Sequence, residues 1–182
     1  MHLTEPDPRH HASYLAALDE LAAEGNGRYL DLVLEPEDGF AGVRYTREAL
    51  ADPVMFRSFC DYTRALAFEE TPKPAGWVTG TYLWMVESDE VVGRVSLRHE
   101  LTPWLREVGG HIGYAVRPTA RRRGHASKAL ALMLPLCAER GLEQVLITCD
   151  VDNVGSRRVI EANGGALEDV RNGKLRFWVP TR

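Results

Sequence analysis

The sequence predicts an α/β fold in which helices flank a mixed, mostly antiparallel central sheet. Two stretches before residue 75 carry apolar side chains at helical spacing. Beyond residue 76 the apolar pattern changes to that of strands, and an arginine-rich loop joins one strand-like segment to a helix-like one. With 182 residues the chain is long enough for one sizeable core but short for two. We therefore expect a single domain over 1–182, with a mostly helical part at 1–75 and a core at 76–182.

The N-terminal part is predicted to contain two helices. The first runs from Arg9 to Glu24, where apolar residues recur at about every third or fourth position. The second runs from Pro53 to Glu69, with Asp52 as its cap and Pro53 at its first position, where a missing N–H costs nothing.

Three strands are predicted next. Thr79 to Val86 and Val91 to Arg98 are strand-like and are joined by four polar residues, which favours a hairpin. Gly110 to Val116 forms the third strand, and Gly113 within it predicts a bulge or a close backbone approach.

The remainder alternates helices and strands. Ala126 to Arg140 is predicted as a helix, although Pro135 inside it leaves two shorter helical pieces as the alternative. Gln144 to Cys149 is an almost continuous apolar strand of the kind that is buried on both faces. Val154 to Ala162 is a short helix, and Ala166 to Val179 a final hairpin.

Charge and cysteine usage limit the class of protein. The net charge of -4, from 26 acidic and 22 basic side chains, disfavours nucleic acid and anionic membranes as partners. The N-terminus lacks the cationic and apolar regions of a secretory signal, so we expect a cytoplasmic protein. Cys60, Cys137 and Cys149 are widely spaced and form no CxxC pair, which predicts buried reduced thiols and no metal site.

The stretch that indicates a ligand is the arginine loop, residues 121–126 (RRRGHA), between a strand and a helix. A loop that enters a helix N-terminus offers unpaired N–H groups and the positive end of the helix dipole, which favour phosphate. It is neither a P-loop nor a Rossmann GxGxxG motif, so ATP and nicotinamide cofactors are disfavoured. A basic loop that is merely solvated is the alternative.

This loop and its setting resemble the GNAT superfamily of acyl-CoA N-acyltransferases. The superfamily signature, Gln/Arg-x-x-Gly-x-Gly/Ala after a strand and opening a helix, is matched by Arg121, Gly124 and Ala126. Asn153 to Ser156 and Asn163 to Ala166 resemble the later part of the same core. The stretches Leu97–Leu101 (LRHEL) and Gly109–Tyr114 (GGHIGY) are closest to a group of predicted bacterial acetyltransferases.

The resemblance implies a sheet that splays between the family's fourth and fifth strands, with acetyl-CoA as co-substrate in the opening and no metal. The fourth strand would pair with the pantetheine amides, the arginine loop would hold the pyrophosphate, and the later motif would lie along the other side. Asn153 can equally be a helix N-cap, and both roles are compatible. The implied contacts are Tyr114, Ala115, Val116, Arg121, Arg122, Arg123, Gly124, His125, Ala126, Ser127, Asn153 and Ser156.

The reaction requires a neutral amine, whereas a lysine-like amine with a pKa near 10.4 is protonated at pH 7. The family often places a glutamate on the fourth strand as base, and His111 stands there in this chain. His111 is therefore the predicted general base, with a structural hydrogen bond as the alternative, and Glu100 is the second candidate. A backbone N–H at Val116 or its neighbour would meet the oxyanion. Ile160 replaces the tyrosine that the family often uses as acid.

The predicted function is transfer of an acetyl group from acetyl-CoA to a small-molecule or peptide amine. A longer acyl donor is an alternative on the same fold, and a noncatalytic acyl-CoA sensor is an alternative of a different class. A nucleic-acid patch formed by the arginines is disfavoured by the acidic total charge. Homodimers are common in the superfamily, but no feature of the sequence indicates one.

Overall fold

Two β-sheets form the centre of the fold, and they separate next to the arginine loop. The computed structural model describes residues 1–25 and 32–182. The first sheet has the strand order β1-β4-β5-β6, the second has the order β7-β9-β8, and β2 and β3 form a small separate pair. The strands are β1 (His2–Thr4), β2 (Leu32–Leu34), β3 (Val43–Tyr45), β4 (Gly80–Glu87), β5 (Glu90–Arg98), β6 (Ile112–Val116), β7 (Gln144–Asp150), β8 (Ala166–Arg171) and β9 (Lys174–Pro180).

Four α-helices lie within the described residues, and they cover both faces of the first sheet. They are α1 (His11–Ala23), α2 (Pro53–Ala65), α3 (His125–Glu139) and α4 (Val154–Ala162). The side chains of a strand alternate between faces, and β4 shows this directly. Trp84 and Val86 pack in one apolar cluster with α1 and α2. Leu83 and Met85 pack in the other with α3 and α4. The predicted α/β class, with helices on both faces of the sheet, is confirmed.

The N-terminal part agrees with the predicted helices and adds three strands. The second helix ends at Ala65, four residues before the predicted end, and the Asp52 carboxylate caps it by accepting from the Val54 N–H at 2.8 Å. The strands β1, β2 and β3 were not predicted, because each has only three residues, too few to show a period.

Strand β6 lacks the bulge predicted at Gly113. Its register with β5 is regular, with Gly113 directly opposite Ser96. The close backbone approach occurs instead at Gly110, whose φ is +63° and where an added Cβ would lie 2.6 Å from the Leu146 carbonyl oxygen. A glycine is therefore required just before the strand and not within it.

Helix α3 is one continuous helix despite Pro135. Pro135 and Ala131, whose carbonyl loses its hydrogen bond, both lie on the exposed side, where water can satisfy that carbonyl. The alternative of two shorter pieces is therefore wrong.

The three cysteines are buried and free, as predicted. Burial raises the pKa of the Cys60 thiol to about 12 and that of Cys137 to about 11, so both stay protonated at neutral pH. No helix among the described residues is long and apolar enough to cross a membrane.

Candidate active site

The two sheets are joined at His111 and diverge beyond it. The His111 N–H donates to the Leu146 carbonyl at 2.7 Å, and the Leu146 N–H donates back to His111 Nδ1 at 2.9 Å. Nearby, Thr148 Oγ1 donates to the Val108 carbonyl at 2.7 Å. Strand β6 and strand β7 belong to different sheets. The expected splay therefore lies between these two strands, and the His111 contacts mark its closed end.

A cavity of about 650 Å³, the first cavity, opens in this splay. Strand β6, the loop after it, the first turn of α3 and the start of α4 form its walls. Eleven of the twelve residues predicted to contact the cofactor line it, and Arg123 is the exception. The eleven are Tyr114, Ala115, Val116, Arg121, Arg122, Gly124, His125, Ala126, Ser127, Asn153 and Ser156.

The exposed edge of β6 points its polar backbone groups toward the splay. The Arg117 N–H donates to the Val92 carbonyl and the Arg98 N–H to the His111 carbonyl, so odd-numbered residues of β6 bond to β5. In an antiparallel pair the N–H and C=O groups of the residues between them point away from the partner strand. The N–H and C=O groups of Tyr114 and Val116 therefore face the splay, whereas those of Ala115 face β5.

Six consecutive backbone N–H groups, those of residues 122–127, surround the start of α3. The first N–H of this region to be bonded is that of Lys128, which donates to the Gly124 carbonyl at 3.0 Å. Gly124 caps the helix without a side-chain hydrogen bond. No group in the described part of the chain accepts from these six N–H groups. Together with the helix dipole they form a site for an anion.

The three arginines of the loop are not equivalent. Arg121 forms a two-point ion pair with Glu24 of α1, at 3.0 and 2.7 Å. Arg123 lies 3.3 Å from Glu87. Arg122 has φ of +60° and no ion pair within residues 1–25 and 32–182. Of the three, only Arg122 keeps a guanidinium without a carboxylate partner among the described residues.

Helix α4 contributes a capping residue and a hydroxyl to the first cavity. Asn153 Oδ1 accepts from the Ser156 N–H at 3.0 Å, so the N-cap role is present. Ser156 Oγ lies 2.8 Å from the hydroxyl of Tyr114. Burial raises the pKa of Tyr114 to about 12, so this hydroxyl stays protonated at neutral pH.

The structure argues against His111 as the general base. Because Nδ1 accepts the Leu146 N–H, the neutral ring carries its proton on Nε2 and has no free lone pair for an incoming proton. The ring is 6% exposed. Burial, with Arg106 and Arg98 nearby, lowers its pKa to about 4. The structural hydrogen bond, which the sequence left as the alternative, is the arrangement observed.

The other predicted catalytic groups lie away from the splay. Glu100 is exposed and lines neither this cavity nor the one described next. Ile160, at the position of the family's usual tyrosine, is fully buried in the apolar core. No three His, Cys, Asp or Glu side chains among the described residues are placed to hold a metal ion.

A second cavity, of about 440 Å³, lies on the opposite face of the first sheet and was not predicted. Its floor is formed by the α1-facing side chains of β4 and β5, and its walls by α1, α2, β2 and neighbouring residues. The alternation of β5 could have identified Arg94, Ser96 and Arg98 as one face, but not the helices that cover it. Its polar lining includes Thr63, Tyr82, Arg94, Ser96 and Arg98.

Comparison with known proteins identifies similar domains. Residues 43–166, more than half of the chain, match the acetyltransferase (GNAT) domain family. Mycobacterium smegmatis RimJ in complex with CoA-disulfide has a similar fold, with a TM-score of 0.63 at 19% identity, covering 98% of this chain and 80% of that one. No curated protein sequence matches the chain significantly.

Two further solved structures share the fold. The microcin C7 self-immunity acetyltransferase MccE, in complex with acetyl-CoA and AMP, has a TM-score of 0.61 at 14% identity, covering 98% of this chain and 91% of that one. The Salmonella typhimurium acetyltransferase that modifies the N-terminal serine of ribosomal protein L7/L12 has a TM-score of 0.56 at 19% identity. The match covers 97% of this chain and 91% of that one.

Proposed function

The chain belongs to the GNAT acetyltransferase family, and we propose that it transfers the acetyl group of acetyl-CoA to a primary amine in the splay between β6 and β7. The observation that carries this proposal is the row of six unpaired N–H groups at residues 122–127. They fit the pyrophosphate of coenzyme A, because backbone donors at a helix N-terminus bind phosphate without needing a cationic side chain. Arg122 adds the only unneutralised charge of the loop within the described chain.

Strand β6 supplies the second part of the fit. The N–H groups of Tyr114 and Val116 and the Tyr114 C=O face the first cavity and would pair with the amides of pantetheine, as a further strand pairs with a sheet edge. The Val116 C=O already accepts from Arg121 Nε at 3.2 Å. Ala115 uses its backbone groups toward β5, so its contact is through the side chain alone. Asn153 and Ser156 would lie along the other side of the cofactor while capping α4.

Whichever of the Tyr114 and Val116 N–H groups does not pair with pantetheine is the donor available for the negative charge that develops on the thioester oxygen. The sequence likewise predicted that a backbone N–H at Val116 or its neighbour would meet the oxyanion. The hydroxyl of Tyr114 can stabilise the leaving thiolate by a hydrogen bond. It is a poor proton donor, because its pKa of about 12 lies above that of a thiol, about 8.5.

Deprotonation of the amine is proposed to rely on the amine's own pKa. With Nδ1 of His111 occupied, the site offers no base at that position. An α-amine titrates at about 7.7–8.0, so a substantial fraction is neutral at pH 7.5, whereas a lysine amine is almost wholly charged. A peptide N-terminus or a small α-amine is therefore the favoured acceptor. The Salmonella relative, which modifies an N-terminal serine, supports this class.

We also propose that residues 1–182 act as one domain in a bacterial cytoplasm. The buried free cysteines suit a reducing compartment, and two of the similar structures are from bacteria. A longer acyl-CoA donor remains compatible with the same contacts.

The experiment is release of coenzyme A thiol from acetyl-CoA in the presence of α-amines and ε-amines at several pH values. We expect turnover with α-amines that rises with pH through the pKa of the acceptor. Tight binding of acetyl-CoA without turnover of any amine would contradict the enzymatic function and favour the acyl-CoA sensor, for which the missing tyrosine at Ile160 is the supporting observation.

A further inference from the structure

The second cavity carries two arginines that have no carboxylate partner among residues 1–25 and 32–182. Arg94, Ser96 and Arg98 alternate along β5 and face the cavity together. Nη1 of Arg98 donates to the carbonyls of Gly109 and Gly110, both at 3.1 Å, which fixes the guanidinium in place. Burial and the charge of Arg94 both lower the pKa of Arg98. In the described chain no carboxylate pairs with either arginine, and no described lining residue is acidic.

A polar group on α2 also lines this cavity without a hydrogen-bond partner in the described part of the chain. Thr63 is 7% exposed, and no group in the described chain hydrogen-bonds to its Oγ1, although the residue lines the second cavity. A buried hydroxyl without a partner is destabilising, so it indicates a missing hydrogen-bonding group. Thr63 and the two arginines therefore indicate independently that a polar ligand belongs here.

The second cavity adjoins the strand that lines the first. Arg94 lies directly opposite Ala115 of β6, and Ser96 opposite Gly113. A Cβ at Gly113 would lie 3.5 Å from Ser96 Oγ and 4.0 Å from Arg98 Nη1. The Arg98 guanidinium therefore lies beside Gly113 of β6, so a group bound to Arg98 is close to that strand.

The remaining lining suits an organic body of modest size. Tyr82, Trp84 and Trp77 contribute aromatic surface, and the volume of about 440 Å³ accommodates an amino acid or a peptide terminus. Two guanidinium groups would repel a cationic acceptor unless it also carried a negative group.

We propose that the second cavity selects an acceptor whose amine is accompanied by an anionic group, held by Arg94 and Arg98, so that the amine is directed toward β6. This inference rests on the proposed function, because it names the acceptor of that reaction. Arg94 would be the specificity-determining residue, and Arg98, fixed by the two carbonyls, would complete the anion site. A carboxylate and a phosphate are distinguished by the test.

The test compares kcat/KM within three pairs of amines that differ in charge. The pairs are L-phenylalanine and its amide, Ser-Asp-amide and Ser-Asn-amide, and phosphoethanolamine and ethanolamine. We expect at least one anionic member to be favoured about tenfold or more, as for hydrogen bonds to charged groups. Arg94→Gln should reduce that preference to within about twofold. Arg44→Gln, at an exposed arginine of β3, should retain it. A preference for the neutral member in every pair would overturn the inference. A preference for an anionic member that Arg94→Gln leaves unchanged would also overturn it.

A binding measurement decides the question if no amine is turned over. N-acetyl-L-phenylalanine, its amide and N-acetylphosphoethanolamine are titrated calorimetrically into the protein saturated with coenzyme A. Binding of an acid but not of the amide, lost in Arg94→Gln, would support the anion site even if the proposed catalysis failed. Absence of binding by both acids, or equal binding of the acid and the amide, would overturn it. Failure of the proposed function would show separately, as no thiol release with any amine.

Discussion

Leu146 of β7 and His111, just before β6, exchange two hydrogen bonds, one through the backbone at 2.7 Å and one through His111 Nδ1 at 2.9 Å. This pair joins the two sheets at the closed end of the splay. The imidazole therefore acts as a structural acceptor at the position where the family often has a base.

Replacement of His111 by Asn and by Ala separates the structural from the catalytic role. Asn can place Oδ1 near the position of Nδ1 and accept the Leu146 N–H, so His111→Asn should keep kcat within about threefold and leave the pH–rate profile unchanged. His111→Ala leaves a buried N–H unpaired, which costs about 1–3 kcal/mol. Steady-state kinetics and urea unfolding measure both effects. A loss of about 100-fold in kcat in His111→Asn, with normal stability, would restore His111 as base.

The low pKa of His111 makes stability depend on pH. The pKa is lowered from 6.5 to about 4 in the folded protein, so the unfolded chain binds the proton more tightly. The contribution is fully present above pH 6.5 and is lost as the pH falls toward 4. We expect a loss of about 2 kcal/mol between pH 7 and pH 5 from this group. His111→Asn should flatten the curve over this range, and identical curves for both proteins would contradict the assignment.

Ala126→Glu should weaken cofactor binding without harming the fold. A carboxylate in the first turn of α3 is favourable for the helix, by about 0.3–1 kcal/mol, but repels a pyrophosphate at the neighbouring N–H groups. We expect the KM for acetyl-CoA to rise at least tenfold while the melting temperature is maintained. Ala131→Glu, on the exposed face of the same helix, is the matched control and should bind normally. Equal KM values for the two variants would place the phosphates elsewhere.

Arg122→Gly should change stability and affinity in opposite directions. Arg122 has φ of +60°, which costs a non-glycine residue about 1 kcal/mol, so glycine should stabilise the loop. The same change removes the unneutralised charge, and affinity for coenzyme A should fall about threefold to tenfold at low salt. Thermal melts test the expected gain in stability, and calorimetric titration tests the expected loss of affinity for coenzyme A. Arg121→Gly is a poor control, because it also breaks the ion pair with Glu24.

Features that depend on neighbouring residues could be predicted from the sequence, whereas features that depend on contacts between distant segments could not. The arginine loop and the cap of α4 are each formed by a short continuous segment, so their backbone roles could be predicted from the local sequence. The ion pairs of Arg121 with Glu24 and of Arg123 with Glu87 join distant segments, so no spacing reveals them. The same limit applies to His111, whose partner Leu146 is 35 residues away. The second cavity requires α1 and α2 to pack on β5, which alternation alone does not specify.

The most direct test of the central claim is to follow the backbone amide resonances of residues 122–127 by ¹⁵N NMR while coenzyme A is added to the 20.4 kDa protein. The predicted result is that these amides, with Tyr114 and Val116, show the largest shift changes and that the N–H groups of 122–127 become protected from exchange. Saturable binding of coenzyme A that leaves the amides of 122–127 unshifted would contradict the account.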